Sequence, residues 1–200
     1  MADTAVSVPL RGPLPGAADR FAAVTRASGG ALRLAELPFL AQLNIRLDAK
    51  GAALDAVGLA LGLPLPVEPN TAVRVGELTA LWLGPDEWLV VGAPGTQRDL
   101  EGRIRAAAGE EPVSVTDVSA QRTTLLIAGP GARDLLAHGC SLDLHPRVFG
   151  PGRCAQTNVA RAQVVLVARD QPGSGFWVLV RSSFAGYFTD WLLDAAVEYV

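Results

Sequence analysis

The chain has 200 residues, of which 50% are hydrophobic and 18% are charged, and this composition is typical of one globular unit or of two tightly joined halves. The formal net charge is −3 and the 17 basic residues are scattered, which excludes nucleic acid and anionic membranes as expected partners. No apolar run is long enough to span a bilayer, and residues 1–16 lack the basic and apolar regions of a secretory signal, so we expect a cytoplasmic protein.

The first segment, residues 1–28, contains or borders on many prolines and glycines. This composition predicts an extended or disordered arm. Two interpretations stay open at this point: a loose terminus, or an arm that lies on a partner.

Residues 29–110 show the pattern of two strands, a helix, three strands and a helix. The predicted strands are 32–35, 43–47, 72–75, 78–83 and 87–91, and the predicted helices are 53–61 and 96–108. Asp48 is the expected N-cap of the first helix, and Thr96 with Asp99 has the spacing of a capping box. Gly84-Pro85-Asp86 predicts the turn of a hairpin.

Residues 111–200 show the same order of elements. The predicted strands are 113–118, 123–127, 154–159, 162–168 and 176–180, and the predicted helices are 132–138 and 184–195. Pro172-Gly173 is the expected turn between the last two strands. Ser182 or Ser183 is the expected N-cap of the final helix.

The order β-β-α-β-β-β-α therefore occurs twice, at an offset of roughly 80 to 90 residues, as in an internal repeat. This predicts an α+β fold with antiparallel-rich sheets, helices packed on them, and two similar halves, 29–110 and 111–200, that share one core. Two independent domains on a flexible linker are the alternative. The connection at 109–112 is too short for a free linker, which favours one unit.

Two cysteines and two histidines lie close enough in sequence to suggest zinc: His138, Cys140, His145 and Cys154. Their spacing, H-x-C-x4-H-x8-C, matches no standard zinc motif. We therefore expect no metal, no disulfide and two free thiols. A cysteine–histidine nucleophile is also disfavoured, because no third group is present to orient it.

Other polar and aromatic residues indicate structure rather than catalysis. Asp117 is expected to accept backbone N–H bonds at a turn, with a possible pairing to Arg122; a functional carboxylate is the alternative. The four tryptophans are expected in the core or at an interface rather than in a ligand cage: Trp82, Trp88, Trp177 and Trp191. The chain has neither a G-x-S-x-G elbow nor a complete phosphate loop, so we predict no catalytic, cofactor-binding or metal-binding residues.

Five segments in order resemble the gamma subunits of heterotetrameric sarcosine oxidases: 81–89 (LWLGPDEWL), 117–123 (DVSAQRT), 139–146 (GCSLDLHP), 154–157 (CAQT) and 181–185 (RSSFA). That family is similar to the folate-binding part of the glycine-cleavage aminomethyltransferase, or T-protein. The resemblance implies two β2-α-β3-α units that exchange their first strands.

The resemblance also implies a function. Such complexes demethylate sarcosine oxidatively to glycine and hydrogen peroxide, and the one-carbon unit leaves as formaldehyde or as methylene-tetrahydrofolate. The implied partners are larger alpha and beta flavoprotein subunits and a small delta subunit. The resemblance implies that those partners carry FAD, FMN, NAD, tetrahydrofolate and zinc, and that this chain carries none of them. This chain would then be a non-catalytic subunit of an oxidoreductase.

Two stretches depart from the aminomethyltransferase pattern. Residues 159–163 lack the carboxylate expected there, and residues 180–186 lack the glycine-plus-glutamate signature of the folate pocket. A freestanding folate-dependent aminomethyltransferase or folate-binding protein is the alternative function, and a generic small-ligand module is a third. The expected partner contacts are the arm 1–28 and the loops 63–70 and 145–152.

Overall fold

A computed structural model describes residues 10–169 and 175–200. Within these ranges the strands are β1 Arg33–Leu37, β2 Ala41–Arg46, β3 Ala72–Val75, β4 Leu78–Gly84, β5 Glu87–Gly92, β6 Ser114–Asp117, β7 Arg122–Ala128, β8 Cys154–Val159, β9 Ala162–Ala168 and β10 Phe176–Arg181. The α-helices are α1 Ala17–Ala27, α2 Ala52–Leu61, α3 Gln97–Ala108, α4 Ala132–Ala137 and α5 Ala185–Ala195. None of these helices is long and apolar enough to cross a membrane.

The strands form two antiparallel sheets of five strands each. The first sheet has the order β3-β4-β5-β2-β6, and the second has the order β1-β7-β10-β9-β8. Strand β1 therefore lies at the edge of the sheet built from the C-terminal strands, and β6 lies at the edge of the sheet built from the N-terminal strands. The predicted α+β class with antiparallel sheets is confirmed.

The molecule has four layers, because each sheet has helices on its outer face and the other sheet on its inner face. Alternation along β7 shows how this arises: Leu125 and Ile127 pack with the helices α1, α4 and α5, whereas Leu126 and Ala128 face the other sheet. On the first sheet, Leu43 and Ile45 pack against α2 and α3. Both faces of each sheet are thus covered.

The core between the sheets contains residues from both sides of residue 110. Leu81, Leu89, Leu126 and Leu179 are all members of this inter-sheet core. A bridge between Thr71 and Arg153 also joins the sheets at one edge. The two sheets therefore bury one continuous apolar surface between them.

The prediction of an extended or disordered arm is wrong for residues 17–27, which form α1. Ala17 and Phe21 are one helical turn apart and are buried against the second sheet, and Val24 packs beside them. Arg20 also donates to Asp190 on α5 at 2.8 Å. The prolines and glycines flank this helix without entering it; residues 1–9 lie outside the described ranges.

Three predicted helix caps do not form. Ser182 lies in a short 3₁₀ turn before α5, and its hydroxyl donates to the carbonyl of Ala120. Thr96 does precede α3, but its hydroxyl donates to the carbonyl of Ala93. Asp48 lies three residues before Gly51, the N-cap of α2, and accepts from the Lys50 N–H. The polar side chains at these ends therefore serve turns and contacts between segments.

The pairing of strands in hairpins was predicted more accurately than the helix caps. Strands β4 and β5 pair around Gly84-Pro85-Asp86, with a register shift next to that turn. Strands β9 and β10 also pair as predicted. The turn predicted at Pro172-Gly173 lies outside the described residues.

Candidate functional site

The four residues considered for zinc do not form a site. Cys140 is buried in the core under the helices, whereas Cys154 is buried in the inter-sheet core. His138 lies at the end of α4 with its Nε2 3.7 Å from Glu198, and His145 lies in an exposed turn. Across residues 10–169 and 175–200, no three His, Cys, Asp or Glu side chains come together as metal ligands.

Both thiols are free, and the environment of Cys154 makes it a poor nucleophile. Burial raises the pKa of the Cys154 thiol to about 11, and its Sγ donates to the carbonyl of Thr71 at 3.2 Å. Since the thiolate is the reactive form, only about one thiol in a thousand is reactive at pH 8. Cys154 is thus a core residue.

We expect the Cys140→Ser variant, which retains only Cys154, to react with a disulfide reagent at pH 8 far more slowly when folded than when denatured. Raising the pH toward 11 should accelerate the reaction of the folded protein, because the thiolate fraction rises. Reaction of one equivalent at pH 8 as fast as for a free thiol would contradict this burial. The Cys154→Ser variant measures the reactivity of Cys140 separately.

Asp117 serves a turn, as predicted. Its carboxylate accepts from the Ser119 N–H at 2.9 Å and from the Ser119 hydroxyl at 2.5 Å. The Ser119 hydroxyl in turn accepts from the Gln42 N–H, which ties the β6–β7 connection to β2. Within the described residues, Asp117 makes no hydrogen bond to Arg122, the partner considered from the sequence.

Two of the four tryptophans, Trp88 and Trp177, are core residues. Trp88 is fully buried, and its indole N–H donates to the carbonyl of Pro66 at 2.7 Å. Trp177 is buried in the inter-sheet core beneath the guanidinium group of Arg169. Trp82 and Trp191 are half-buried. A solvent-exposed aromatic cage is therefore not formed by these four side chains.

A polar cleft lies on the second sheet, next to the point where the Gln156 side chain donates to the Leu83 carbonyl of the first sheet. Its volume is about 210 Å³, and its lining comes from β7, β8, β9 and β10: Arg122, Gln156, Thr157, Asn158, Gln163, Val164, Val165 and Arg181. We call it the inter-sheet cleft. Arg122 and Arg181 are directly opposite each other in the β7–β10 ladder and so lie on the same face. Burial, and secondarily Arg181, lowers the pKa of Arg122.

The sequence pattern indicated only a turn role for Arg122 and did not predict the cleft. A signal was present in the alternation of β8 and β9. Gln156, Asn158 and Gln163 occupy positions that continue the inward-facing series of Cys154 and Val165, where apolar residues are expected. Polar residues at inward-facing strand positions indicate either a hydrogen-bonded interior or a site.

The stretch 159–163, which lacks the expected carboxylate, contacts the residue that follows the stretch 180–186. The backbone N–H of Arg161, in the β8–β9 turn, donates to the hydroxyl of Tyr187 at the start of α5, at 3.3 Å. Phe184 packs edge-on against Tyr187, and both rings are partly exposed. Neither stretch supplies a carboxylate to this location.

Comparison with known proteins decides the family. The model of the sarcosine oxidase, gamma subunit family matches residues 46–198. The sarcosine oxidase subunit gamma of an Arthrobacter species is 38% identical over 173 residues, which cover 86% of this chain and 83% of that protein. The chain belongs to the sarcosine oxidase gamma subunit family. The corresponding subunit from Corynebacterium sp. strain P-1 is 35% identical over the same shares of the two chains.

Solved structures agree with this assignment. A chain of the heterotetrameric sarcosine oxidase from Corynebacterium sp. U-96, in complex with pyrrole 2-carboxylate, superimposes with a TM-score of 0.82 and 34% identity. The match covers 95% of this chain and 96% of that one. The predicted resemblance to this family is confirmed.

The aminomethyltransferase T of the Bartonella henselae glycine cleavage system has a TM-score of 0.61 and 14% identity. The match covers 85% of this chain and 48% of that protein. At this identity the likeness shows a shared fold alone. The predicted similarity to the T-protein fold is thus confirmed, without any implication about folate.

Proposed function

We propose that this chain is a non-catalytic subunit of a cytoplasmic heterotetrameric complex that oxidises sarcosine. One observation supports the non-catalytic role above the others: Arg161 of the stretch 159–163 contacts Tyr187, which follows the stretch 180–186, and neither stretch contains a carboxylate. Without an acidic group there, the location lacks a general base and a group that stabilises an iminium ion. The residues present therefore do not fit folate-dependent chemistry.

We also propose that the cofactors of the complex, FAD, FMN, NAD, tetrahydrofolate and zinc, are held by the alpha, beta and delta partners. The described residues of this chain support that division of labour. The four candidate zinc ligands lie in separate cores and turns, and the glycines before α4 form a strand-to-helix turn without the lysine of a phosphate loop.

The topology supports an internal duplication with exchanged first strands. Residues 29–110 and 111–200 each contribute two strands, a helix, three strands and a helix. The first strand of each half, β1 or β6, pairs in the sheet of the other half. The exchange joins the halves through backbone hydrogen bonds as well as through the inter-sheet core, which favours one rigid unit over two linked domains.

The structure places the two loops proposed as partner contacts side by side. Glu68 of the loop 63–70 pairs with Arg153, which directly follows the loop 145–152, at 3.1 Å. Ala72 donates its N–H to the carbonyl of Gly152 at 2.8 Å. Each loop carries one exposed valine, Val67 or Val148. An apolar side chain exposed on each of two adjacent loops suits a protein contact.

Co-expression tests this function. A tag on this chain should recover a flavin-coloured complex with the alpha, beta and delta subunits that oxidises sarcosine and releases hydrogen peroxide, whereas the chain alone should be colourless and inert. If the chain purifies alone, binds tetrahydrofolate tightly and transfers one-carbon units, the proposal fails and the freestanding enzyme takes its place.

The contact surface is tested in the same experiment with charge substitutions. Val67→Glu and Val148→Glu should reduce recovery of the partner subunits, because a carboxylate would be buried against them. Val197→Glu is the matched control, since Val197 is as exposed as Val67 (62% against 61%) but lies in the C-terminal 3₁₀ segment. Equal recovery with all three variants would place the contact elsewhere.

A further inference from the structure

The inter-sheet cleft contains two like charges at directly opposed positions. Arg122 on β7 and Arg181 on β10 are partners in the antiparallel register. Directly opposite residues have Cβ atoms roughly 4.5–5.5 Å apart, and like charges at such positions repel each other. Arg122 is half-buried, so water screens its charge less than that of a fully exposed side chain.

Among the described residues, neither guanidinium group is paired with an acidic side chain. Within residues 10–169 and 175–200, no hydrogen bond or ion pair involves the side chain of Arg122 or Arg181. The charge of Glu87, on the facing sheet, raises the pKa of Arg122, but less than burial and Arg181 lower it. The carboxylate of Glu87 is already engaged by Asn44 at 2.7 Å and by Arg46 at 2.8 Å. The arginine pair thus retains its donors for a ligand.

The rest of the cleft supplies further donors. The amide side chains of Asn158 and Gln163 line it, whereas the Gln156 amide group already donates to the carbonyl of Leu83 at 2.9 Å. This set of donors suits an acceptor with several oxygen atoms.

We propose that the inter-sheet cleft is a carboxylate-binding site in which the guanidinium groups of Arg122 and Arg181 both bind the same anion. The planar guanidinium fork matches a carboxylate in two parallel hydrogen bonds. A volume of about 210 Å³ accommodates a small carboxylate or a single acidic side chain. The bound charge offsets the repulsion between the arginines. Neither Arg161 nor Tyr187 lines the site, although Gln163 and Arg181 come from the stretches 159–163 and 180–186.

Malonate is a suitable probe for a freely diffusing carboxylate. We expect 10 mM malonate, at constant ionic strength, to raise the melting temperature of the full chain by about 3–6 °C if its Kd is about 1 mM. Arg181→Gln should abolish this increase, and because Arg181 is exposed the variant should fold normally. Arg98→Gln is the matched control: Arg98 is exposed on α3 and does not line the cleft, so its malonate response should equal that of the wild type.

A second experiment tests whether the carboxylate belongs to a partner subunit. This experiment rests on the proposed function. If a partner's Asp or Glu side chain fills the cleft, Arg181→Gln should weaken recovery of the complex by about tenfold or more, and malonate should compete with assembly of the wild type. If the ligand is free, recovery stays normal and the malonate response persists in the complex. The carboxylate site would be overturned if the wild-type chain assembles normally and Arg181→Gln changes neither the malonate response nor the recovery of the complex. The proposed function would then remain intact.

Discussion

Replacing Trp88 with alanine should lower the free energy of unfolding by about 3–5 kcal/mol, which corresponds to a fall in melting temperature of roughly 6–20 °C. Trp88 is fully buried beneath α2 and α3, where the smaller side chain would leave a cavity. The substitution also removes the indole N–H that donates to the carbonyl of Pro66. Pro66 belongs to the loop that we propose as a partner contact, so the same change should loosen that loop.

Trp88→Phe separates these two effects. It retains a buried aromatic ring but removes the hydrogen bond and part of the apolar volume, so the expected loss is about 1–3 kcal/mol, smaller than for Trp88→Ala. Thermal unfolding followed by circular dichroism measures both variants, and limited proteolysis measures exposure of residues 63–70. A melting temperature for Trp88→Ala within 2 °C of the wild type would be incompatible with this packing.

Gly129→Ala is expected to be about as damaging, for a reason that lies in the backbone. Gly129 has a φ of +102°, a conformation that alanine adopts only with strain. A Cβ atom at this position would lie 2.4 Å from the carbonyl oxygen of Ala31. That oxygen accepts the Gly131 N–H, so it cannot move away without loss of this bond. We expect a loss of more than about 3 kcal/mol.

Two other glycines provide the controls. Gly30 has a φ of +93° but open space around it, so Gly30→Ala measures backbone strain alone, about 1–3 kcal/mol. Gly102 lies within α3 in open space, and Gly102→Ala should stabilise the protein by about 0.5–1 kcal/mol. Urea unfolding of the three variants should give this order of stabilities. If Gly129→Ala were no worse than Gly30→Ala, the close approach of Ala31 would be refuted.

The elements whose signals are local were predicted well. Strands β3, β8 and β9 were predicted at their observed bounds, and β4 and β5 within one residue at each end, because alternation and turn residues act over a few positions. Helix α1 was missed because two buried residues, Ala17 and Phe21, form its stripe and the surrounding prolines and glycines dominate the composition. Ser182 was assigned to a cap because local spacing gave no sign of its acceptor, Ala120, on another segment.

The candidate functional residues show the same difference between local signals and contacts made by distant segments. Free thiols and a turn role for Asp117 followed from spacing and residue type, and the structure shows both. The inter-sheet cleft did not follow, because Arg122 and Arg181 belong to strands far apart in sequence that become neighbours only through the β7–β10 ladder. A single strand pattern reports which face a side chain occupies, but not which strand lies beside it.

The sequence by itself determined the order of strands and helices after residue 29, the turn chemistry between them and, through five short segments, the family. These features depend on interactions between near neighbours in the chain, which residue type and spacing record. Only the tertiary structure decided that β1 pairs with β7 and that β2 pairs with β6, that α1 packs against α5, and that two arginines meet in one cleft. Those pairings depend on the burial of apolar faces contributed by distant segments, and such faces are compatible with several partners until the whole chain packs.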